Sequence, residues 1–225
     1  MSVEPNPSTP PPGAPVAATG VVRHLDVLLK GLLLLMLAFT VIDPAWANLE
    51  GKAAEARSIV YPLLAFTVPA LWWGLWRESR PFPWLADLLV TITCFSDILG
   101  NRLDLYDRIV WFDDWMHFVN PALIGAAVVM LTLPAGTSVG RCLERSLAVG
   151  STGAIAWEVG EYFAFISGSE ERRFAYVDTL ADLGLGVVGA VVGALVVHRR
   201  GSEGPHRAPA PVEVASSAAS RATNG

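Results

Sequence analysis

The sequence predicts an all-α, polytopic membrane protein with about six transmembrane helices. Of the 225 residues, 52% are hydrophobic and only 16% are charged, a balance too apolar for an ordinary soluble domain. The apolar residues also fall into blocks near the ~20 residues that a helix needs to cross the hydrocarbon core of a bilayer. The net charge of −5 comes without a basic stripe, so the composition argues against nucleic acid as a partner.

Two tails flank the predicted membrane domain. Residues 1–22 contain the run P-N-P-S-T-P-P-P-G-A-P, and we expect this tail to be disordered because it cannot bury a core. Residues 23–200 form the predicted six-helix transmembrane domain. Residues 201–225 are rich in Ala, Ser and Pro, and we expect a second disordered tail there.

The first predicted span runs from Leu25 to Ile42 and contains Lys30, whose long side chain can extend toward the lipid headgroups. An alternative is a signal peptide cleaved after Ala47, because Ala45-Trp46-Ala47 has the small-x-small form of a cleavage site. The long preceding tail and the single early Arg23 fit poorly with the compact positive region of a signal peptide. Whether this span is retained or cleaved stays open at the level of sequence.

Five further apolar blocks predict the remaining spans. The second block contains Pro62 and Pro69, which we expect to kink its helix. In the last block, Gly189 and Gly193 form a G-x-x-x-G step, which favours close approach of another helix and predicts a homo-oligomer through that face. The five predicted spans are Ser58–Trp76, Trp84–Gly100, Trp115–Leu133, Arg145–Ser167 and Thr179–Val197.

The distribution of Lys and Arg predicts a cell-membrane protein with both termini in the cytoplasm. Alternate connecting segments carry nine basic residues on the side of the two tails and six on the other side. The side with more basic residues faces the cytoplasm in most polytopic proteins. The loops 77–83 and 134–144 are then inside, whereas the segments 51–57, 101–112 and 168–176 are outside.

Carboxylates and a histidine recur at one predicted depth of spans four, five and six. They form pairs three or four positions apart, so the members of each pair share a helix face. An ionisable side chain at membrane depth is costly unless it is paired, hydrated or neutralised. The sequence therefore predicts an outward-facing site composed of Asp113, Asp114, His117, Glu158, Glu161, Asp178 and Asp182.

Two kinds of chemistry fit these residue types. Carboxylate oxygens with one imidazole suit a divalent cation, and helical bundles hold metals between such pairs. Alternatively, the carboxylates share protons and act as general acid and base. The predicted metal ligands are Asp114, His117, Glu158, Glu161 and Asp178, and the predicted catalytic residues are His117, Glu158, Glu161, Asp178 and Asp182.

Structural roles are the alternative for each of these residues. Asp113 or Asp114 can cap span four, and Thr179-Leu-Ala-Asp182 has the form of a capping box at the start of span six. Glu158 and Glu161 lie inside span five, far from any cap, and their structural alternative is hydrogen bonding to an arginine or to the backbone. Trp157, like the other aromatic residues nearby, is most simply part of an interfacial belt.

Three segments of the sequence resemble the YjdF-like family of bacterial membrane proteins and, more remotely, the VanZ-like proteins. These segments are L-Y-D-R-I-V-W-F-D-D-W-M-H-F (105–118), A-W-E-V-G-E-Y (156–162) and Y-V-D-T-L-A-D-L-G-L-G-V-V-G-A (176–190). The resemblance implies a small helical membrane protein with shared polar motif residues. It implies no particular activity, although the VanZ-like comparison points toward cell-envelope chemistry.

The leading functional hypothesis is an enzyme that acts on a lipid or lipid-linked headgroup. One variant is an isoprenoid-cyclising enzyme of the terpene cyclase type, because Trp157 and Tyr162 stand directly beside Glu158 and Glu161 and aromatic faces stabilise cations. A cation- or proton-coupled small transporter is a second class of function. A non-catalytic membrane partner protein, in which the acidic residues serve only assembly, is a third.

Overall fold

The computed structural model describes residues 16–164, 166–168 and 175–202, and these residues form helices joined by turns, with no β-strand among them. Both predicted tails, apart from the residues taken into helices, and most of the 168–176 segment lie outside the described residues. The helices are α1 (Val16–Ile42), α2 (Ala54–Ala65), α3 (Thr67–Leu71, continued by the π-helical turn Trp72–Trp76), α4 (Trp84–Arg102), α5 (Leu105–Arg108), α6 (Phe112–Thr132), α7 (Val139–Ala164) and α8 (Ala175–Ser202).

Within the described chain, three helices are long and apolar enough to cross a membrane: Gly20–Ile42 of α1, α6 and α8. The bent pair of α2 and α3 makes a fourth candidate if its two parts form one span. The all-helical prediction is confirmed, but only three or four spans are supported by length and composition rather than six. Polar side chains such as Asp87 and Asp97 lower the hydropathy of α4, although they face the protein interior.

The predicted kink in the second span is confirmed. Residues Ala54–Ala65 and Thr67–Trp76 meet at an angle of 41°. Pro69 lacks a backbone N–H and therefore leaves the carbonyl of Ala65 without its helical partner. The helix breaks at the next residue, Phe66, which lies between the end of α2 and the start of α3.

The helices pack in two groups that α4 and α6 join. In the first group, α1, α2 and α4 enclose a core that includes Leu33, Leu37, Ala65 and Ile98. The second group consists of α6, α7 and α8. Ser146 of α7 donates a 2.6 Å hydrogen bond to the carbonyl of Ala190 on α8, so these helices approach closely at their centres.

Gly189 and Gly193 pack inside the protein. A Cβ atom on Gly189 would collide with the carbonyl oxygen of Phe118, and one on Gly193 would collide with that of Ala122. Both carbonyls belong to α6, whose backbone cannot give way locally as a side chain can. The prediction of a homo-oligomer through this face is therefore corrected: the G-x-x-x-G step brings α8 against α6 of the same chain, and the face is buried.

Cys142 also differs from its predicted position. The sequence pattern predicts a short polar loop there, but α7 begins at Val139 and Cys142 is a buried residue of its first turns. It packs with Val129 of α6 and Ala194 of α8. The early start of α7 extends the three-helix group by more than one turn.

Candidate functional site

His117 lies where α6, α7 and α8 meet. Helix α6 begins at Phe112, so Asp113 lies in its first turn and His117 follows one turn later on the same face. The imidazole Nε2 atom is 3.5 Å from Oδ1 of Asp113. His117 thus lies close to the N-terminal end of α6. Its side chain is only 11% exposed and points into the bundle.

The other two helices each bring one buried carboxylate to this imidazole. Glu158 of α7 places Oε1 3.3 Å from Nδ1 of His117, and Asp182 of α8 places Oδ2 4.0 Å from Nε2. The side chains of Glu158 and Asp182 are 5% and 4% exposed. The two ring nitrogens therefore face different acids, with Glu158 on one side and Asp113 and Asp182 on the other.

Five of the seven predicted site residues form two groups that share His117. Asp113, His117 and Asp182 form one group whose ligand atoms all lie within 4.8 Å of one another, and His117, Glu158 and Glu161 form a second such group. Asp114 and Asp178 belong to neither group and are exposed. The structure therefore gathers the acids around His117, while the predicted metal ligands Asp114 and Asp178 lie at the edge.

Asp182 is not part of a helix cap. Helix α8 begins at Ala175, so Thr179 lies inside the helix and cannot be its N-cap residue. Asp182 is a buried interior residue that faces His117. Asp113 does not cap α6 either, because the N-cap position is Trp111 and no side-chain capping bond is formed there. The capping interpretation of Thr179-Leu-Ala-Asp182 is therefore wrong, since the helix starts one turn earlier than the pattern predicts.

The geometry on the Nε2 side of His117 suits a divalent metal ion. Two ligand atoms that each lie 2.0–2.2 Å from one ion are separated by roughly 3 to 3.5 Å. The separation between Nε2 and Asp113 is 3.5 Å and matches this range, whereas the 4.0 Å to Asp182 is longer, so Asp182 would have to move closer to bind the same ion. On the opposite side, Nδ1 faces the carboxylate of Glu158. A metal-ligating histidine commonly uses its second nitrogen in this way, because a carboxylate fixes the ring orientation and increases the basicity of the ligand.

Glu158 is not fully satisfied by its protein neighbours. Its Oε1 atom is buried and has no hydrogen-bond partner among the described residues, since the approach to His117 Nδ1 is an ion-pair distance without hydrogen-bond geometry. A buried carboxylate oxygen without a protein partner is unusual, and it could accept a hydrogen bond from a bound group. This oxygen marks the part of the site where a further group would be stabilised.

An apolar groove between α7 and α8 leads to Glu158. The groove has a volume of about 450 Å³ and a predominantly apolar lining. Glu158 and Thr179 provide polar groups on its wall, while the aliphatic side chains are exposed on the outer surface of the bundle, as with Ile155 and Leu180. The remaining lining residues are Val159, Tyr162, Phe163, Ala175, Tyr176 and Leu183.

A second polar centre, which the sequence reasoning missed, lies beside the first. Asp97 of α4 is 4% exposed and accepts hydrogen bonds from Arg57 (3.2 Å), Tyr61 (2.6 Å) and Tyr106 (2.7 Å). The guanidinium of Arg57 also donates to the carbonyl of Lys52. The sequence pattern assigns Arg57 to a loop, and the signal that could have revealed this centre is an arginine and an aspartate at the same predicted depth of adjacent spans.

Trp157 separates the two polar centres. Its ring stacks on Tyr61 with a centroid distance of 6.1 Å, and the guanidinium of Arg57 lies 5.4 Å above it. Its ring is partly buried and packs between helices, while its membership of an interfacial belt stays a prediction. Since Trp157 immediately precedes Glu158, this stacking fixes the part of α7 that carries the candidate site.

Outside the candidate membrane spans, Lys52 and Asp107 join the segment before α2 to α5. Lys52 Nζ lies 2.6 Å from the Asp107 carboxylate, and this hydrogen bond lowers the pKa of Asp107. Asn48 donates a further hydrogen bond to Asp107. Tyr106, next in the chain, has a raised pKa because it is buried beside Asp97. This end of the bundle is therefore held by an ion pair at its surface and by the buried Tyr106–Asp97 hydrogen bond below it.

The apolar helices, the exposed aliphatic side chains and the buried ionisable centre together indicate an integral membrane protein of several helices. Residues 25–203 match the family described as "Predicted membrane protein (DUF2238)", and the chain belongs to this family. The prediction of a bacterial-type membrane protein family is thereby confirmed as far as the membrane protein family, while the YjdF-like and VanZ-like resemblances stay predictions. No curated protein and no solved structure matches the chain.

Proposed function

We propose that this protein is a membrane-embedded enzyme that acts on a lipid or isoprenoid-type substrate at the His117 centre. The observation that carries the proposal is the position of Glu158. This residue belongs both to the ligand cluster around His117 and to the wall of the apolar groove. A substrate chain in the groove would therefore bring its polar end to the carboxylates without leaving the bilayer.

A divalent cation is the proposed cofactor, with Asp113, His117 and Asp182 as its ligands. The ion would act as a Lewis acid on an oxygen of the substrate headgroup. Glu158 would orient the imidazole, and Glu161 lies near enough to serve as a general acid or base. This assignment revises the predicted ligand set, because Asp114 and Asp178 are exposed and lie outside both ligand groups.

The experiment that tests this proposal uses the purified protein in lipid nanodiscs. We would incubate it with a panel of phospholipids and polyprenyl phosphates, with Mn²⁺, Mg²⁺ or Zn²⁺ or with chelator, and follow each lipid by mass spectrometry. Metal-dependent conversion of one class by the wild type, lost in Glu161→Gln, is the expected result. No conversion of any lipid under any condition would contradict an enzymatic function on these substrates.

A pair of tryptophan substitutions tests the role of the groove. Leu180 and Val188 both lie on α8 and are both 52% exposed, but only Leu180 lines the groove. Leu180→Trp should fill the groove and reduce turnover at least tenfold, because the substrate chain loses its binding site. Val188→Trp should retain turnover. Equal effects of the two substitutions would show that the groove does not bind the substrate.

We also propose six membrane crossings with both termini in the cytoplasm, which places the His117 centre in the outer half of the bilayer. The Lys and Arg bias supports this orientation. Ser167 and Ser138 are exposed at opposite ends of α7. In a background without Cys94 and Cys142, an impermeant thiol reagent should label Ser167→Cys and leave Ser138→Cys unlabelled in intact cells. The reverse labelling pattern would show that the protein has the opposite orientation in the membrane.

A transporter is the second candidate function. It is favoured by buried ionisable groups near both ends of α4, with Asp87 and Asp97 at 1% and 4% exposure. Buried charges at two depths are typical of ion pathways. Reconstituted liposomes distinguish the two functions: a pH or cation flux that depends on Glu158 but occurs without lipid conversion would favour transport over catalysis.

A further inference from the structure

A third polar centre joins α1 to α4, far along α4 from Asp97, and neither proposed site uses it. Lys30 lies 2.8 Å from Oδ1 of Asp26 and 2.9 Å from Oδ1 of Asp87, and its ammonium group donates a 2.6 Å hydrogen bond to Thr91. Thr91 in turn lies 2.7 Å from the same oxygen of Asp26. The expectation that Lys30 extends toward the headgroups is therefore wrong, because Lys30 points into the bundle and is 8% exposed.

The charges of this centre do not balance. Two carboxylates, Asp26 and Asp87, face a single ammonium group, and both aspartates are only 1% exposed. A buried charge without compensation is strongly unfavourable at this depth, so the centre requires one further positive charge. A proton shared by the two carboxylates provides that charge without additional space.

The geometry fits a shared proton. Oδ1 of Asp26 and Oδ1 of Asp87 lie 2.8 and 2.9 Å from the same Nζ atom of Lys30, so two carboxyl groups converge on one ammonium group. A carboxyl group can donate a hydrogen bond to another carboxylate only when it is protonated. Oδ1 of Asp87 is buried and makes no hydrogen bond among the described residues, since its approach to Lys30 is an ion pair without hydrogen-bond geometry. This oxygen is therefore available to carry or accept the proton.

Among the described residues, Lys30 forms the ion pairs of Asp26 and Asp87, and the nearby Arg80 donates instead to the carbonyl of Leu131. Arg23 of α1 lies over Trp84 and His24 is exposed. Arg57 and Tyr61 of α2 are engaged by Asp97, and Cys94 of α4 is buried. The faces of α3 and α6 that pack beside α4 are apolar here, with Val68, Ala127 and Leu131.

We propose that Asp26 and Asp87, held by Lys30 and Thr91, form a binding site for one exchangeable proton between α1 and α4. In the neutral state one carboxyl group is protonated and donates to the other carboxylate, which accepts from Lys30. Release of the proton leaves one net negative charge in the bundle, and its uptake restores neutrality. The inference is independent of the reaction at the His117 centre and holds for an enzyme or a transporter.

Infrared spectroscopy of the full-length protein in nanodiscs tests this site. The wild type should show a protonated-carboxyl C=O absorbance at neutral pH that shifts in D₂O and disappears at high pH. Asp26→Asn and Asp87→Asn should each lose that absorbance. Asp107→Asn is the matched control, because Asp107 pairs with the single ammonium group of Lys52 at the surface and needs no shared proton.

Three results would overturn the proposal. A wild-type spectrum without protonated-carboxyl absorbance at neutral pH does so alone, even if the variants fail to fold. Unchanged absorbance in both Asn variants would assign the proton to another centre, such as that of His117. Loss of the wild-type absorbance when sodium replaces choline at constant ionic strength would make the site a sodium site.

Discussion

The His117 centre and the Asp97 centre lie on either side of Trp157, yet their side chains are satisfied in different ways. Asp97 accepts hydrogen bonds from Arg57, Tyr61 and Tyr106. At the other centre, one imidazole faces several carboxylates, and an oxygen of Glu158 has no hydrogen-bond partner among the described residues. The carboxylate of the first centre is bonded entirely by protein groups, whereas the second centre leaves an acceptor that the proposed metal ion or substrate would use.

This difference separates a structural role from a functional one. Buried polar groups that are fully hydrogen-bonded fix a unique arrangement of helices. Buried carboxylates with too few partners cost stability, and such groups cluster at sites that bind ligands or transfer protons. Arg57 and Asp97 therefore stabilise the scaffold, while the acids around His117 carry the proposed chemistry.

The largest expected effect compares two isosteric substitutions, one in each centre. Asp97→Asn should reduce the free energy of unfolding by about 3–5 kcal/mol, because it removes the charge partner of buried Arg57. Asp182→Asn should cost less than about 1 kcal/mol, since it relieves repulsion among the carboxylates near His117. Chemical denaturation in detergent measures both values, and equal losses would remove the distinction between the centres.

The next effect concerns the packing that brings α8 to the His117 centre. Gly189→Ala should destabilise the protein by about 1–3 kcal/mol, because the new methyl group meets the carbonyl of Phe118. Gly184 lies on the same helix, and a Cβ atom there would have nothing within 4 Å, so Gly184→Ala should be neutral or stabilising by up to ~1 kcal/mol. Thermal unfolding of the two variants checks this contrast. Equal melting temperatures would show that α8 does not approach α6 this closely.

The smallest effect is at the surface, beside the Asp97 centre. Because Lys52 lowers the pKa of Asp107, their interaction stabilises the folded state above the unfolded pKa of an aspartate, about 4. That contribution is lost as the pH falls through the lower folded pKa of Asp107. Both groups are partly exposed, so the contribution should stay well below 1 kcal/mol. Asp107→Asn should remove this part of the pH dependence, and an unchanged pH profile of unfolding would contradict the pairing.

Much of the candidate site was accessible from sequence because helical spacing determines which residues share a face. Asp113 with His117 and Glu158 with Glu161 were predicted as pairs from their spacing, and the structure brings them together. The sequence also predicts Asp182 as a site residue, but a capping role for it depends on where α8 begins. Helix ends are set by local turns that the apolar pattern does not reveal.

The Asp97 and Asp26 centres are less accessible from sequence because they are completed by contacts between helices, although Asp26 and Lys30 themselves share a face of α1. No spacing rule connects Arg57 with Asp97 or Lys30 with Asp87, and only the packing of α1, α2 and α4 makes these pairs. For the same reason, the sequence does not determine which helix packs against Gly189. A G-x-x-x-G step predicts close helix contact but does not say whether the partner helix belongs to the same chain.

The most direct test of the account is whether the His117 centre binds a divalent metal ion. In detergent, Mn²⁺ or Zn²⁺ at a hundred times its dissociation constant should stabilise the wild type by about 2.7 kcal/mol, and a chelator should reverse this. His117→Gln should lose the response. His198→Gln should keep it, because His198 contacts the carbonyl of Thr137 far from the site. A wild-type melting temperature unchanged by metal and chelator, or an equal response in His117→Gln, would contradict a metal centre at His117.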